Sequence, residues 1–516
     1  MPKTINVVDL FSGPGGLGEG FSAFQPPRNG EAPGYRIRMS VEMEPNAHRT
    51  LSLRALYRLL KGTPGVASYD SYLKGQISRE ELEAEAGDAW DQANQETLGG
   101  PKELGKDNPI IHKELECLKS RHPAESWVLI GGPPCQAYSL AGRSRNKGNK
   151  GYLPEKDGRH FLYQEYLEVL SRLQPDVFVM ENVKGILTSK VNNSLLFPRI
   201  LEDLRNPSRA TRKKSKKYRI YSFVVAAETG PEHKFQNADF IIRSELFGIP
   251  QSRHRVILLG VSEDISRSPD PLPEQSMVAI ESVLKGLPPL RSGLTKVNEI
   301  RVEDSASAWS KAVDRQAKRI LREAKQKRLK ELYDLVLASS ASIQSENPTE
   351  SKRKPKPIPK KTPGGLRKWI EDAPPPILLN HSARGHMDTD LGRYLFSACW
   401  SKIYGAAPKA QDYLECLEPN HANWKTGKFA DRFRTQLEGR PATTITSHIS
   451  KDGHAFIHYD PTQCRSLTVR EAARIQTFPD NYFFEGKPTA QYQQVGNAVP
   501  PYLAKQLAAI VWKLLA

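Results

Sequence analysis

The chain has 516 residues, which corresponds to two or three domains at about 150 residues per domain. Hydrophobic residues make up 38% and aromatic residues 8%, so the chain can bury a core and is not of the disordered class. No apolar run reaches about 18 residues, which excludes a membrane span, and the N-terminus lacks a secretory signal pattern. We therefore expect a cytoplasmic protein. The five cysteines have neither a disulfide framework nor zinc-binding spacing, so no metal is predicted; they are Cys117, Cys135, Cys399, Cys416 and Cys464.

The charge is strongly basic and unevenly distributed. The formal net charge is +17, and residues 311–361 carry 15 Lys/Arg against 6 Asp/Glu. Residues 205–219 carry eight Lys/Arg and no acid. Such clusters suit a polyanion such as nucleic acid, although a solvated face or tail explains a charge run equally well.

The first 260 residues alternate between strand and helix patterns. Apolar, β-branched runs predict strands at 5–11, 35–43, 127–132, 176–183 and 255–261. A helix is predicted over 161–174, ended by Pro175, and a polar helical insertion over about 55–125. This alternation predicts an α/β fold with a mostly parallel sheet, which binds ligands at the carboxyl ends of its strands.

The remainder reads as a second domain followed by a C-terminal return. A long basic helix is predicted at 305–339, with an apolar stripe formed by Ile320, Leu321, Ala324, Leu332 and Val336. Residues 339–365 are rich in Ser, Pro and Lys and read as a linker or exposed loop. Two helices are predicted near the C-terminus. The domains expected are 1–261, 262–445 and 446–516, the last returning to the first.

A glycine-rich turn follows the first strand. Gly13, Gly15 and Gly18 fit GxGxxG, and Glu42 closes the second strand 24 residues after Gly18. This spacing is typical of a nucleotide-like cofactor whose ribose bonds an acid, although a plain strand-to-helix turn is as good an interpretation. A dinucleotide and S-adenosylmethionine both remain open, and the extra Pro14 and Gly16 favour the smaller cofactor.

Three further motifs sit at predicted strand ends, and a fourth lies near the C-terminus. Cys135 follows a strand and two prolines in GGPPCQAYS, a context unlike that of a core cysteine. Glu181 and Asn182 end another strand, and QSRHR at 251–255 precedes the next. VGNAVPP occupies 495–501, where a helix cap explains Asn497 as well as a function does.

In this order the motifs resemble the DNA (cytosine-5) methyltransferase family of the bacterial, unpermuted type. DLFSGPGGLGEGF is similar to its cofactor loop, GGPPCQAYS to its nucleophile motif, ENV to its acid motif and QSRHRV to its arginine motif. VREAARIQTFPDNY and QQVGNAVPP are similar to its closing motifs. The resemblance spans residues 7 to about 505 and implies a Rossmann-like methyltransferase domain with a smaller target-recognition domain.

The resemblance implies a covalent mechanism with base flipping. Cys135 would add to C6 of a flipped-out cytosine, and Glu181 would bond N3 and the exocyclic amine. Arg255 would hold the O2 side, with Arg253 as its neighbour. Contacts to the substrate DNA are expected from three residues, Gln136, Ser139 and Asn182.

The resemblance also implies S-adenosylmethionine as the methyl donor. The cofactor-binding residues expected are Phe11, Gly13, Pro14, Gly16, Glu42, Met43, Pro134, Asn497 and Val499. Glu42 would bond the ribose and Met43 would lie against the adenine. The family's adenine-binding Asp has no clear counterpart, and Asp70 takes that role only if residues 75–125 are an insertion.

Residues 262–445 would recognise double-stranded DNA. Their basic helix and linker suit phosphate contact, and the polar stretches 381–394 and 440–454 are candidates for reading bases. The alternatives are an RNA methyltransferase, a non-enzymatic DNA-binding relative and an NAD-dependent dehydrogenase. We expect a monomer associated with the nucleoid, in a restriction-modification or phage-defence system with a separately encoded nuclease.

Overall fold

A computed structural model describes residues 4–26, 34–134, 161–191, 194–227, 235–344, 346–420, 424 and 432–516. The chain divides into two compact units, residues 1–276 with 498–516 (unit 1) and residues 277–497 (unit 2). The sequence placed these divisions at 261/262 and 445/446. Among the described residues, no helix combines the length and apolar character that a membrane crossing requires.

Unit 1 is built on a seven-stranded sheet. The sheet strands are β1 (Ile5–Leu10), β2 (Tyr35–Val41), β3 (Ser126–Gly131), β4 (Val177–Val183), β7 (Tyr218–Tyr221), β8 (Ile241–Arg243) and β10 (His254–Ser262), and shorter strands are β5 (Lys190–Val191), β6 (Ser194–Leu195) and β9 (Gln251–Ser252). The order is β2-β1-β3-β4-β10-β7, with β8 also paired to β10. The strands from β2 to β4 are parallel, and β10 runs antiparallel to β4. The predicted mostly parallel α/β fold is confirmed.

Helices cover both faces of this sheet. They are α1 (Gly16–Ser22), α2 (Pro45–Leu60), α3 (Val66–Leu73), α4 (Arg79–Ala86), α5 (Asp88–Glu96), α6 (Asn108–Arg121), α7 (Phe161–Leu173), α8 (Leu196–Arg205) and α9 (Pro207–Thr211). Because side chains alternate along a strand, Val7 packs into one core with Phe21, and Val8 packs into the other with Leu115. The sheet is therefore buried on both faces, which explains why its strands read as continuous apolar runs.

Unit 2 combines a small sheet with a helical core. Its strands are β11 (Gly293–Val297), β12 (Ile300–Arg301), β13 (Gly385–Met387) and β14 (Ala442–Thr443). Its helices are α10 (Glu281–Leu284), α11 (Ala306–Gln326), α12 (Lys330–Ala341), α13 (Gly364–Ile370), α14 (Asp388–Tyr404), α15 (Val469–Ile475) and α16 (Pro488–Asn497), and the last helix of the chain, α17 (Pro501–Leu515), belongs to unit 1. Short 3-10 helices are Lys184–Thr188, Asn237–Phe240, Ser244–Phe247, Ala410–Asp412, Glu415–Leu417 and Ser447–Ser450.

The predicted helix over 305–339 is two helices. α11 and α12 are separated at Arg328, whose φ of 55° breaks the helical path, and they pack against each other and α14. The predicted stripe faces this core, with Ile320 and Val336 fully buried and Leu321 partly buried. The single helix expected after residue 490 is also divided, because Pro500 and Pro501 end α16 and begin α17.

The Lys/Pro-rich stretch 339–365 begins inside α12 and continues as a fastened exposed loop. Ser351 N–H donates to the His381 carbonyl, and Lys356 N–H donates to the Gly286 carbonyl. Ile358 is buried, and its N–H donates to Glu371. The backbone is therefore held in unit 2 while lysines such as Lys354 point to solvent.

Buried ion pairs hold the segment around α15. Arg465 forms two hydrogen bonds of 2.7 Å to Glu471, and Arg474 bonds both oxygens of Asp480. The fully buried Arg470 donates to the backbone carbonyls of Leu379, Pro479 and Tyr482. Removing one member of such a pair leaves an uncompensated buried charge, so this segment tolerates little change.

Two buried histidines make unit 2 sensitive to acid. Burial lowers the pKa of both His381 and His458 from 6.5 to about 4, next to Glu471 and Arg465, while hydrogen bonds and Arg465 hold the pKa of Glu471 below its usual range. Below pH 6.5 the unfolded chain takes up protons that the folded histidines do not, so unfolding becomes more favourable as the pH falls toward 4. Each unit of pKa shift corresponds to about 1.4 kcal/mol.

We therefore expect hydrogen-exchange protection of residues 277–497 to decrease from pH 7.5 to pH 5, after correction for intrinsic exchange rates. The measurement is exchange at fixed temperature, followed by mass spectrometry. Protection that is constant over this range would contradict the assignment of neutral, buried histidines.

Candidate active site

The carboxyl ends of β1, β3 and β4 and the start of β10 meet at one edge of the sheet in unit 1. Parallel strands end on the same side, and β10 runs the opposite way, so its first residues arrive where β4 ends. The turns that follow these strands carry the motifs singled out in the sequence. We call this side the catalytic edge.

Glu181 and Arg255 form an ion pair at the catalytic edge. Arg255 Nε lies 2.9 Å from Glu181 Oε1, and each side chain is only 16% exposed. Glu181 faces Ile257 in the β4–β10 register, two residues along from Arg255. The pair presents an acceptor and a cationic donor side by side, which suits a planar ring bearing both kinds of hydrogen-bonding group.

Arg253 lies behind this pair. It is buried at 1% exposure, and burial next to Arg255 lowers the pKa of its guanidinium well below the usual value. Its carbonyl accepts hydrogen bonds from the backbone and the hydroxyl of Ser244. The tight turn fixes the arginine motif before β10 begins.

The turn after β3 packs directly against Glu181. A Cβ on Gly132 would lie 2.8 Å from Glu181 Oε2, and a Cβ on Gly131 would lie 2.4 Å from the Leu10 carbonyl. Asn182 donates its side-chain amide to the Pro133 carbonyl at 3.0 Å. The two glycines and the amide therefore set the path of the chain as far as Pro134, the last residue described before the predicted nucleophile.

Three predicted residues lie outside the described part of the chain: Cys135, Gln136 and Ser139. Their roles stay predictions. Asn182 was expected to touch substrate DNA, and its described contacts are internal, since it is 4% exposed and bonds the turn. Its contribution to the site is the positioning of that turn.

The glycine-rich loop after β1 adopts a conformation that few residue types allow. Phe11, Gly13 and Gly15 have φ values of 55°, 57° and 97°. Gly13 N–H donates to Glu42 Oε2 and Glu44 N–H donates to Glu42 Oε1, both at 2.7 Å. Burial raises the pKa of Glu42, and these two hydrogen bonds oppose that rise. Each oxygen keeps a second lone pair, so Glu42 can still accept from ribose hydroxyls.

The C-terminal return closes this loop. A Cβ on Gly16 would lie 2.4 Å from the Val499 carbonyl, and one on Gly20 would lie 2.4 Å from Ala504 Cβ in α17. Only glycine allows this approach of two backbones. Val499 is buried, whereas Asn497 is exposed and ends α16 instead of opening the last helix.

Two more of the predicted cofactor residues are Pro14 and Met43. Pro14 is buried within the glycine-rich loop, and Met43 lies two residues after the end of β2 and is 53% exposed, as a surface for a flat ring requires. Asp70 is a half-buried residue of α3. The insertion reaches Glu42 at Lys102, whose N–H donates to the Glu42 carbonyl.

Asp9 is a site residue that the sequence analysis missed. It is 1% exposed at the end of β1, and burial raises the pKa of its carboxyl to about 8. A Cβ on Gly18 would lie 2.9 Å from Asp9 Oδ2, and Ser12 donates to the Asp9 carbonyl. An acid inside the apolar run INVVDLF was the available signal.

Comparison with known proteins now decides the family. The model of the C-5 cytosine-specific DNA methylase family matches residues 90–207 and 216–512. The chain belongs to this family. The type II methyltransferase M.Bpa9945I of Bacillus paralicheniformis is 31% identical over 98% of both chains. The DNA (cytosine-5-)-methyltransferase M.ApeKI of Aeropyrum pernix is 25% identical over 75% of this chain and 81% of its own.

A solved structure is similar in fold. It is a prophage-encoded protein of E. coli described as a DNA modification methyltransferase, with a TM-score of 0.53, 18% identity and 99% coverage of both chains. Membership of the C-5 cytosine-specific DNA methylase family confirms the predicted enzyme class, DNA (cytosine-5-)-methyltransferase, and excludes the dehydrogenase alternative.

Replacing Asn182 by Ala should slow methyl transfer by about 10- to 100-fold. The substitution leaves the buried Pro133 carbonyl without its hydrogen-bond donor, which costs about 1–3 kcal/mol of free energy. This loss destabilises the turn that precedes the nucleophile. Single-turnover methylation of a duplex measures this. Asn108→Ala, which removes the side-chain hydrogen bond from Asn108 in α6 to Glu165 in α7, is the control and should retain the wild-type rate. Equal rates for Asn182→Ala and wild type would refute the positioning role.

Proposed function

We propose that this enzyme transfers a methyl group to C5 of a flipped-out cytosine in one short double-stranded DNA sequence, through a covalent bond from Cys135 to C6. The observation that carries the proposal is the Glu181–Arg255 pair beside the turn that leads into Cys135. Glu181 accepts a hydrogen bond from the exocyclic amine and shares a proton with N3 of the base, and Arg255 donates to O2. Both contacts favour electron density on the ring as the thiolate adds.

The Cys135 thiolate forms a bond to C6, which makes C5 nucleophilic. C5 would then bond the methyl carbon of S-adenosylmethionine as the bond from that carbon to the sulfonium sulfur breaks, and the sulfur would keep the electron pair and leave as a neutral thioether. A base then removes the C5 proton, the C6–S bond breaks, and the thiolate is regenerated. Arg253, buried behind Arg255, adds positive potential to the site and supports the negative charge of the ring.

S-adenosylmethionine supplies the methyl group when it is bound. The glycine-rich loop fits this cofactor. The loop packs tightly against Val499 at Gly16, and both carboxylate oxygens of Glu42 beside it accept backbone hydrogen bonds that fix their positions. Phe11 and Pro14 belong to this loop, and Met43 would offer its exposed face to the adenine. Pro134 and Asn497 are proposed as further cofactor residues from the family resemblance alone.

The proposed biological setting is restriction-modification or phage defence in the bacterial cytoplasm, at the nucleoid. Similarity to type II methyltransferases supports it. Residues 262–445, most of them in unit 2, would recognise the target sequence. A separately encoded nuclease is the proposed partner, and the enzyme would act as a monomer.

Bisulfite sequencing of plasmid DNA from expressing cells tests the proposal. We expect wild-type protein to methylate cytosines within one short sequence, and Cys135→Ala to reduce methylation by more than about a thousandfold, because the covalent path is lost. Methylation that persists in Cys135→Ala would refute the covalent mechanism. Unmethylated DNA with the wild type would refute the DNA substrate and favour RNA.

Gly16→Ala should weaken S-adenosylmethionine binding by about 10- to 100-fold. Its Cβ would have to displace the Val499 carbonyl, and such overpacking costs about 1–3 kcal/mol. Calorimetric titration measures the Kd. Gly364→Ala is the matched control, because a Cβ there meets no atom within 4 Å. Wild-type affinity in Gly16→Ala would place the cofactor elsewhere.

A further inference from the structure

The basic segment, residues 205–217, lies on the edge of the sheet opposite the catalytic edge. Lys216 Nζ lies 2.7 Å from Asp176, which directly precedes β4, and Glu263 N–H, directly after β10, donates to the Lys217 carbonyl. β4 begins and β10 ends at this side. The segment therefore borders the amino ends of the parallel strands, whereas Glu181 lies near the carboxyl end of β4.

The separation follows from the length of β4. Seven residues at about 3.3 Å each place the two edges roughly 20 Å apart. Duplex DNA is stiff on this scale, with a persistence length of about 150 base pairs. A duplex engaged at the catalytic edge cannot turn around the sheet to reach the basic segment within the same short stretch.

Much of the positive charge of the segment is unpaired. Lys213 pairs with Glu168, and Lys216 pairs with Asp176. The other five cations are exposed and have no ion pair with any acid in the described part of the chain; they are Arg205, Arg209, Arg212, Lys214 and Lys217. Acids of the fold therefore neutralise only two of these cations, and the others give the surface a high positive potential.

The backbone that carries these cations is fixed. The Ser208 and Ser215 hydroxyls lie 3.0 Å apart, and Ser215 N–H donates to Ser208 Oγ. Thr211 Oγ1 lies 3.0 Å from the Ser171 hydroxyl of α7. A flexible basic tail would lose backbone conformational entropy on binding a ligand. The backbone of this segment is already ordered by these hydrogen bonds, so binding costs less conformational entropy.

The neighbouring surface extends the positive charge. Lys119 of α6 and Arg172 of α7 line a depression together with Lys213 and Lys214. Glu116 also lines it and pairs with Arg172 at 2.9 Å. The basic surface therefore continues across three elements, and Glu116 is the one acid among the residues that line this depression.

The composition of the segment favours a phosphate backbone over a protein partner. Protein interfaces are centred on apolar and aromatic anchors and are depleted in lysine. Here the only apolar residues are Pro207, which is buried, and Ala210. A phosphate backbone presents regularly spaced negative charges, which cations such as those of this segment bind without apolar anchors.

We propose that the basic segment binds the phosphate backbone of a second duplex segment while the first is held at the catalytic edge. This inference rests on the proposed function, since it takes the catalytic edge as the place where target DNA binds. It gives the enzyme a route to pass directly from one duplex to another, without free dissociation.

The experiment compares Arg209→Gln/Arg212→Gln/Lys214→Gln (segment variant) with Lys74→Gln/Lys106→Gln/Lys513→Gln (control variant), which removes the same charge from exposed lysines elsewhere in unit 1. Full-length protein is bound to a fluorescent duplex of about 30 base pairs carrying the methylated sequence found by bisulfite sequencing. Its release is followed by anisotropy while the concentration of unlabelled duplex is raised.

We expect the release rate of wild type and control variant to rise in proportion to the unlabelled duplex, at least threefold over the range, and that of the segment variant to stay constant. A constant rate for wild type, or the same rise in the segment variant, would overturn the proposal. Unlabelled polyglutamate is added in place of unlabelled duplex in a parallel series. If polyglutamate raises the release rate of the labelled duplex and unlabelled duplex does not, an acidic protein is the partner and the proposal is also overturned.

Methylation of the short duplex distinguishes this result from failure of the proposed function. The segment variant should retain the wild-type kcat and KM on one site, because its substitutions lie far from the catalytic edge. Absence of methylation by wild type would refute the proposed function itself. Loss of methylation in the segment variant alone would assign the segment to target binding and overturn the second-duplex proposal.

Discussion

The antiparallel register of β10 against β4 is the constraint on which the site depends. If β10 were parallel like its neighbours, Arg255 would lie at the amino edge, one strand length from Glu181. Reversal brings the start of β10 to the end of β4 and puts the guanidinium 2.9 Å from the carboxylate. A slip of one residue would turn either side chain to the opposite face of the sheet. The four central strands, buried on both faces, hold the register, so the apolar cores and the ion pair depend on the same alignment.

The cofactor side depends on a different constraint, the close approach of distant backbones. Gly16 meets the Val499 carbonyl and Gly20 meets the backbone of α17, whereas Gly18 meets the side-chain carboxylate of nearby Asp9. None of these contacts leaves room for a methyl group. The last helix, α17, therefore packs directly against the glycine-rich loop, which begins at residue 11. The contacts of this loop are therefore complete only when both ends of unit 1 have come together.

The sequence predicts strongly what depends on local pattern. Strand ends are within two residues of those observed at β2, β3, β4 and β10, because turns, prolines and apolar runs specify them locally. The helix break at Arg328 was missed, since no Gly or Pro marks it and the packing of α11 on α12 decides it. The Asn182–Pro133 bond joins residues 49 apart and could not be derived from spacing. The resemblance to the family implied roles for the site residues, and the structure gives the partners of those that it describes.

Net charge alone overstates the attraction of this chain for DNA, because its cations serve two purposes. Arg465 and Arg474 are consumed by buried carboxylates, and Arg470 by backbone carbonyls, so they stabilise unit 2 and add little potential outside it. In the described part of the chain, exposed cations without an ion pair lie in the basic segment, along α11 and in the loop after α12. Since salt weakens binding in proportion to the number of phosphates contacted, the salt dependence of this enzyme should reflect those surfaces and not the total of +17. The buried arginines thus stabilise the fold of unit 2, and a separate set of exposed cations is available to contact DNA.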